Sequence, residues 1–413
     1  MDGSGAAGLI LQSLCPLAIE AHPLKHRSKI GIPRGMAASV NILHLHSSFD
    51  LGGKEARAVR LMNAFGDRAR HTIVSGVPGA LSARDSIAKE VRYEIAQTPP
   101  PLTGKPSVKR YEEIAQYMRR FDLVLTYNWG AIDGAMARRA FAKGAPPLVH
   151  HEDGFNADEA GGLKIERNIY RRLALSAAYA LAVPSEVLED IALRTWKQPR
   201  ERVHRIVNGI GTAYYAQKPE PKAIPGFTRN AKEVVIGALA GLREVKDLTA
   251  LVRAVGGVSG RVRLVIVGEG PERANILQAA AAMGMADKLV LPGFLDRPYR
   301  YIGHFDMLAL SSRSEQFPIS VVEAMAAGLP IASYPVGDLK RMVATENLPF
   351  VTDIANEVRL RDALQALVSD PALRASVGAA NQAKARAEYD EGVMIARYRD
   401  LYEAALQRPG ALT

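Results

Sequence analysis

The sequence predicts an α/β protein made of two doubly wound, Rossmann-like domains facing across a cleft. Three observations carry that prediction. The chain has 413 residues, too many for one ordinary core and suited to two domains of about 200 residues each. From residue 40 onward, short apolar runs alternate with helical stretches, which is the pattern of a parallel sheet flanked by helices. The alternation occurs twice, on either side of residues 215–230, a stretch with several Pro and Lys residues and no periodicity that reads as a linker.

Taken in order, residues 1–35 read as a disordered leader outside the fold. Residues 6–21 are moderately apolar, but Asp2 and no basic residue precede them, unlike a secretory signal, and Met36 stands just before the first strand. Strands are expected at 40–45, 71–74, 122–126, 147–150, 179–183 and 203–207, with a helix at 56–66 after the first. The second set comprises 234–239, 262–267, 289–291, 307–310 and 331–334, and a last helix covers 394–407. The expected boundaries are therefore a first domain over 36–217, a second over 218–390 and a terminal helix within 391–413.

Composition narrows the functional classes. With 48% hydrophobic and 23% charged residues the chain can bury a core, which excludes a disordered polymer. No run of 18 apolar residues occurs, so no membrane-spanning segment is expected. The single cysteine, Cys15, excludes an internal disulfide and fits the cytoplasm. A net charge of +10 calls for anionic partners. The basic residues come as scattered pairs, such as Arg119-Arg120 and Arg138-Arg139, with no zinc-finger spacing, which disfavours nucleic acid. Phosphorylated substrates or an anionic membrane surface suit that charge better.

The densest chemistry lies in Ser311-Ser-Arg-Ser-Glu-Gln-Phe-Pro-Ile-Ser-Val-Val-Glu-Ala-Met-Ala-Ala-Gly-Leu-Pro330. The strand at 307–310 precedes it, Pro318 suits a first helical turn, and Gly328 with Pro330 supplies a stop. Glu315 thus falls in a strand-to-helix loop and Glu323 inside the helix. Such a loop lies at the carboxyl end of a parallel sheet, where ligands bind, and the helix N-terminus offers free N–H groups to a phosphate. An isolated glutamate is more often a solvated surface group, so the pair matters only together with its surroundings.

This block resembles the E-x7-E signature of the family 4 glycosyltransferases, which Glu323-Ala-Met-Ala-Ala-Gly-Leu-Pro330 matches position by position. The first half departs from it: the frequent Phe-Gly pair is Phe317-Pro318 here, which removes one backbone hydrogen-bonding group. The resemblance implies the GT-B arrangement, with the last helix crossing back to the first domain. It implies retaining, metal-independent transfer from a nucleotide-diphospho-sugar, with no other cofactor. Glu323 would bind the ribose and Glu315 the donor sugar, with Phe317 and Ile319 lining the sugar-donor site.

Other motifs follow in family order. Ala240-Gly-Leu-Arg-Glu-Val-Lys-Asp247 resembles the Gly-Arg-Leu-x-x-x-Lys block, but Gly241 occupies the usual arginine position and the guanidinium is displaced to Arg243. Arg243 and Lys246 are expected at the pyrophosphate, the one as a fork and the other as a point charge. The glycines of Gly268-Glu-Gly270 shape a turn near the nucleotide; Arg273 stands where a dinucleotide site would need its third glycine. The segment 291–295, containing Phe294, resembles the part that meets the base. Phe49-Asp-Leu-Gly-Gly-Lys-Glu55 brings Gly52 and Gly53 under the diphosphate. His150-His-Glu-Asp-Gly-Phe155 ends a strand, and of His150 and His151 strand alternation lets one face the reacting sugar; no third ligand with fixed spacing suggests a metal. Pro184-Ser185 and Asn208-Gly209 read as structural landmarks.

The expected activity is transfer of a sugar to a hydroxyl acceptor, a lipid-linked or polysaccharide glycan precursor at the inner face of the membrane. A sugar-nucleotide epimerase, a phosphorylase or a noncatalytic nucleotide-sugar-binding protein are the rival classes on the same fold. Acceptor choice is expected to lie in variable loops of the first domain, including 76–103.

Overall fold

The computed structural model describes residues 39–102, 104–155, 159, 162–315 and 317–413. The leader expected over 1–35, Met36 and Cys15 lie outside them.

Two all-parallel sheets organise the chain. The first has seven strands in the order β3-β2-β1-β4-β5-β6-β7, formed by β1 (Val40–His46), β2 (Ala69–Ser75), β3 (Arg92–Ile95), β4 (Leu123–Tyr127), β5 (Leu148–His151), β6 (Ala180–Val183) and β7 (Val203–Arg205). Its helices are α1 (Gly53–Phe65), α2 (Val108–Met118), α3 (Asp133–Ala140), α4 (Ile165–Leu175) and α5 (Glu186–Arg194); the short α6 (Thr212–Tyr215) follows and packs its Tyr215 into the core of the second sheet. The second sheet has the order β10-β9-β8-β11-β12, from β8 (Val234–Leu239), β9 (Val262–Val267), β10 (Leu289–Gly293), β11 (Met307–Leu310) and β12 (Ile331–Ser333). Helices α7 (Leu248–Gly256), α8 (Arg273–Ala282), α9 (Ile319–Ala326), α10 (Leu339–Met342), α11 (Glu357–Ser369) and α12 (Pro371–Glu388) accompany it.

Both orders reverse direction at a central strand, between β1 and β4 and again between β8 and β11. The crevice at such a switch point, outside the carboxyl ends of the strands, is where a doubly wound sheet binds ligands. Gly52-Gly53 follow β1, residues 240–247 follow β8, and 311–318 follow β11, so three of the motifs sit at the two switch points. The central strands are apolar on both faces because helices cover both. Strand β3 is the one that the apolar pattern does not announce: it is an edge strand, mostly exposed, with a polar sequence.

The chain passes between the two sheets twice. On leaving β7 it runs through Asn208, Gly209 and Ile210, and it returns at Asp390 before α13 (Glu391–Leu406). The two passages pair: Ile210 N–H donates to the Tyr389 carbonyl at 3.0 Å and Glu391 N–H to the Ile210 carbonyl at 2.9 Å. A Cβ on Gly209 would lie 2.8 Å from the Glu391 Cα, so the crossing needs glycine there. Helix α13 then packs on the first sheet, placing Met394, Tyr398, Leu401 and Tyr402 in the cluster with Leu123, Leu125, Tyr127 and Val149.

Candidate active site

Three loops of the second sheet are knitted into one surface. Leu242 N–H donates to the Glu269 carbonyl at 2.8 Å, Gly268 N–H to the Gly293 carbonyl at 2.9 Å, and Arg313 N–H to the Val245 carbonyl at 2.9 Å. Ser311 Oγ adds a bond to the Lys246 carbonyl at 2.8 Å. The glycines of the 268–270 turn are required for this closeness. Both have φ near +150°, and a Cβ would stand 1.9 Å from the Ala240 carbonyl oxygen at Gly268 and 2.4 Å from that of Leu242 at Gly270. These glycines therefore act on the β8 loop that carries the basic residues.

That loop brings Lys246 Nζ onto Glu315 Oε1, with both side chains mostly buried, so the two charged groups expected at the diphosphate and at the sugar meet directly. Arg243 is exposed and folds back over Gly241: its Nε lies 3.4 Å from where a Cβ on Gly241 would be. The space freed by the missing side chain at 241 is filled by the guanidinium from two residues later. Asp247 takes a left-handed φ of 45° to turn the chain from this loop into α7 and is paired with Arg313 at 2.6 Å.

Pro318 is the N-cap of α9 and precedes its first turn by one residue. Ile319, half-buried, opens the helix. The ring of Phe317 is buried, edge-on against Tyr389 at 5.8 Å, so its side chain anchors the loop to the core and does not line the sugar-donor site as expected. Phe294 is 64% exposed at the rim of the β10 turn. Gln316 lies outside the described residues.

Glu323 is 9% exposed and accepts a 2.9 Å hydrogen bond from the Tyr215 hydroxyl. Burial pushes its carboxyl up to about 7, against the opposing pull of the Tyr215 bond and of the Arg60 charge. Tyr215 ends α6 and Arg60 belongs to α1, so groups from both lobes meet at this glutamate. Tyr215 lies at the first residue of the stretch read as linker, and nothing in that stretch flags it; its partner is 108 residues away.

In the first lobe, Gly52 is the N-cap of α1 and the space in front of a Cβ on Gly53 is open to 4 Å. Beneath the glycines lies a polar floor that the motifs alone do not announce. Arg57, 2% exposed, holds Asp153 in a bidentate pair and donates to Asn208 Oδ1 at 3.0 Å. Lys54 contacts Glu55, and burial, with Arg57 nearby, lowers its ammonium to about 8 although the Asp153 charge opposes the shift. A signal for this floor exists in the sequence: Lys54, Glu55 and Arg57 follow the two glycines directly, and Asp153 closes the His-His-Glu-Asp run.

His150 and His151 do not occupy the positions expected of a group at the reacting sugar. Both are fully buried, on opposite faces of β5 as alternation requires. His150 Nδ1 bonds Thr126 Oγ1 at 2.8 Å and its Nε2 lies 3.8 Å from Glu152, itself 3.6 Å from the buried Arg171. His151 donates from Nδ1 to the Thr126 carbonyl at 3.1 Å, so its Nε2 accepts from the Tyr402 hydroxyl at 2.7 Å. Burial, then the Arg57 charge, lowers its pKa well below the histidine range and keeps the ring neutral. Both histidines are still inside the strand, whose last residue is His151, so each imidazole lies in a packed layer beside the sheet. Asp153 lies beyond the strand and is held by Arg57.

Two all-parallel sheets of this topology, each with a crevice at its switch point, are the GT-B arrangement of glycosyltransferases. Residues 220–384 match the family described as Glycosyl transferases group 1, and residues 51–214 match Glycosyltransferase Family 4. The chain belongs to this family. It is 29% identical over 210 residues to the protein EpsF of Bacillus subtilis (strain 168), covering 48% of this chain, and spans only about half, 53%, of that relative's length. The lipopolysaccharide core biosynthesis glycosyltransferase LpsD of Rhizobium meliloti (strain 1021) is 21% identical over 369 residues, 89% of this chain and 100% of LpsD. The fold is that of the Anabaena protein Alr3699/HepE in complex with UDP and glucose, with a TM-score of 0.74 at 20% identity over 88% of this chain and 100% of that one. Among the described residues no helix is long and apolar enough to cross a membrane.

Proposed function

We propose that this protein is a retaining, metal-independent glycosyltransferase that moves a sugar from a nucleotide-diphospho-sugar to a hydroxyl of a lipid-linked or polysaccharide glycan precursor, working at an anionic membrane surface. The observation that carries the reading is the meeting of Lys246 with Glu315 in the loop that leads into α9, at the switch point of the second sheet. As the bond from the anomeric carbon to the diphosphate breaks, negative charge grows on the leaving phosphate. Lys246, Arg243 and the free N–H groups of α9 supply positive charge there. Glu323 takes the ribose hydroxyls and Glu315 those of the sugar. The acceptor oxygen attacks on the face the diphosphate leaves, and its proton passes to the departing phosphate oxygen. The complex of the Anabaena relative with UDP and glucose makes UDP-sugars the first to try.

A panel of nucleotide sugars tested by thermal shift should contain one that raises the melting temperature, since binding to the native state stabilises it. With that sugar donor, Lys246→Ala should lower kcat about 10²–10³-fold, the usual cost of losing one group that stabilises transition-state charge. A panel without any shift, or full turnover by the variant with the donor that gives one, rules the proposal out.

A further inference from the structure

A cavity of about 1010 Å³ lies at the far edge of the first sheet, away from the cleft. Its walls are the segment 176–179 that leads into β6, the segment 200–206 through β7, and the outer face of α13. Residues 176–179 and 200–202 come before their strands, so the cavity begins at the amino ends of the strands, whereas the Gly-Gly loop follows the carboxyl end of β1. Four strand spacings separate β7 from β1, roughly 19 Å.

The lining carries Arg138, Arg200, Arg202, Arg205 and Arg397 against Glu201 and Asp400. Two of the arginines are already neutralised: Arg200 pairs with Glu189 at 2.5 Å, and Arg205 pairs with Glu186 and Glu189. The other three have no carboxylate partner among the described residues. Arg138 donates to the carbonyls of Pro146, at 2.9 Å, and Ala177, and Arg202 donates to the carbonyl of Ser176 at 2.6 Å. Two guanidinium groups thus converge on neighbouring carbonyls just past the end of α4. A helix C-terminus carries about half a negative charge, enough to offset one of them in part and not both. Burial, and after it the nearby Arg202 charge, pull Arg138 below its usual range.

We propose that this cavity binds a phosphate-bearing anion, with Arg138 and Arg202 fixed by backbone carbonyls on one wall and Arg397 supplied by α13 on the other. Each guanidinium has five N–H groups, and the carbonyl bonds leave several for phosphate oxygens. The volume is at the upper end for a small-ligand pocket, so a diphosphate or a phosphorylated headgroup fits better than a lone phosphate. This site does not depend on the transferase reading, because none of its residues is assigned to the sugar donor or to transfer.

Inorganic pyrophosphate is titrated calorimetrically into the full chain carrying Lys246→Ala and Arg243→Ala, which removes both side-chain cations assigned to the leaving phosphate, and the arginine variants below isolate the binding that belongs to this cavity. Saturable binding is expected, and it should weaken at least tenfold in the same chain with Arg202→Gln and Arg397→Gln. Arg138 is left intact because its carbonyl bonds support the fold. Arg397→Gln alone, on an exposed position of α13, should still weaken binding about threefold and keep the parent's melting temperature. Binding that is undetectable, or equal in all three chains, overturns the proposal. Flotation with phosphatidylglycerol and with phosphatidylcholine vesicles then distinguishes the sources. Retention by the anionic vesicles alone, lost in the double variant, assigns a lipid headgroup. Pyrophosphate binding without retention assigns a soluble phosphate compound.

Discussion

The two lobes share a topology and differ in what fills them. Under the second sheet the core is aliphatic, with Val235, Ile236, Leu264, Val265, Ile266, Leu308 and Val321 packed to near-zero exposure. Between the first sheet and α13, His44, His46, His71, His151, Tyr127, Tyr398, Tyr402 and Arg57 are buried together. His44 Nε2 meets His71 Nδ1 at 2.9 Å, His46 stacks on Tyr127 at 4.0 Å, and Tyr127 stacks on His151 at 4.6 Å. Apart from Glu323 and Asp338, the second lobe keeps its charged side chains out of the core. The first carries polar groups through its interior to reach the floor beneath Gly52-Gly53. An apolar core tolerates changes of pH, whereas a polar one ties stability to protonation.

That contrast can be broken at four points. Arg57→Ala should have the largest effect, about 3–5 kcal/mol of stability lost in chemical denaturation, because it leaves Asp153 without its buried partner. A loss below about 1 kcal/mol would mean that the floor is not held by this pair. Acid is next. Folded-state pKa values of the buried histidines are depressed, to about 4 for His71, so the unfolded chain takes up protons first as pH falls below 6.5. Stability present above pH 6.5 is therefore lost between 6.5 and 4, by about 3 kcal/mol for His71 alone. Hydrogen exchange should show protection failing in β1, β2 and β4 before β8, β9 and β11; simultaneous loss would erase the distinction.

Glu323 runs in the opposite direction. Its pKa is raised to about 7 from an ordinary 4.5, so between those values the unfolded chain releases its proton first and folding becomes less favourable as pH rises. Glu323→Gln, which can still accept from Tyr215, should be more stable than the parent by up to about 3 kcal/mol at about pH 8 and little different near pH 4.5. It should also bind the sugar donor more weakly. Equal stability at both pH values would place the carboxylate in water. The smallest effect is expected from Ile266→Val in the aliphatic core, about 1 kcal/mol and the same at about pH 5 and pH 8.

The sheets and their order of motifs were legible because apolar runs at 234–239, 262–267 and 307–310 follow directly from burial on both faces. Edge strand β3 was not, since exposure removes the pattern. At the site, the legible groups were those in contiguous motifs, such as Lys246, Glu315 and Glu323. The Arg57–Asp153 pair and the Tyr215 bond to Glu323 join residues 96 and 108 positions apart, so the motifs that contain Arg57 and Asp153 mark each residue and not their pairing. The histidines misled for a related reason: a strand end was placed correctly within a residue, and one residue decides whether a side chain is inside the core or beyond it.

Arg243 lying over Gly241 bears on how such chains are sorted by sequence. A column-by-column comparison scores position 241 as a lost cation and position 243 as an unremarkable surface arginine, although the Arg243 guanidinium lies over the place where a side chain at 241 would begin. Apparent decay at one column can thus be a relocation within the loop. Wherever glycine stands in that column and an arginine follows two residues on, the missing arginine is no ground for counting a chain as inactive.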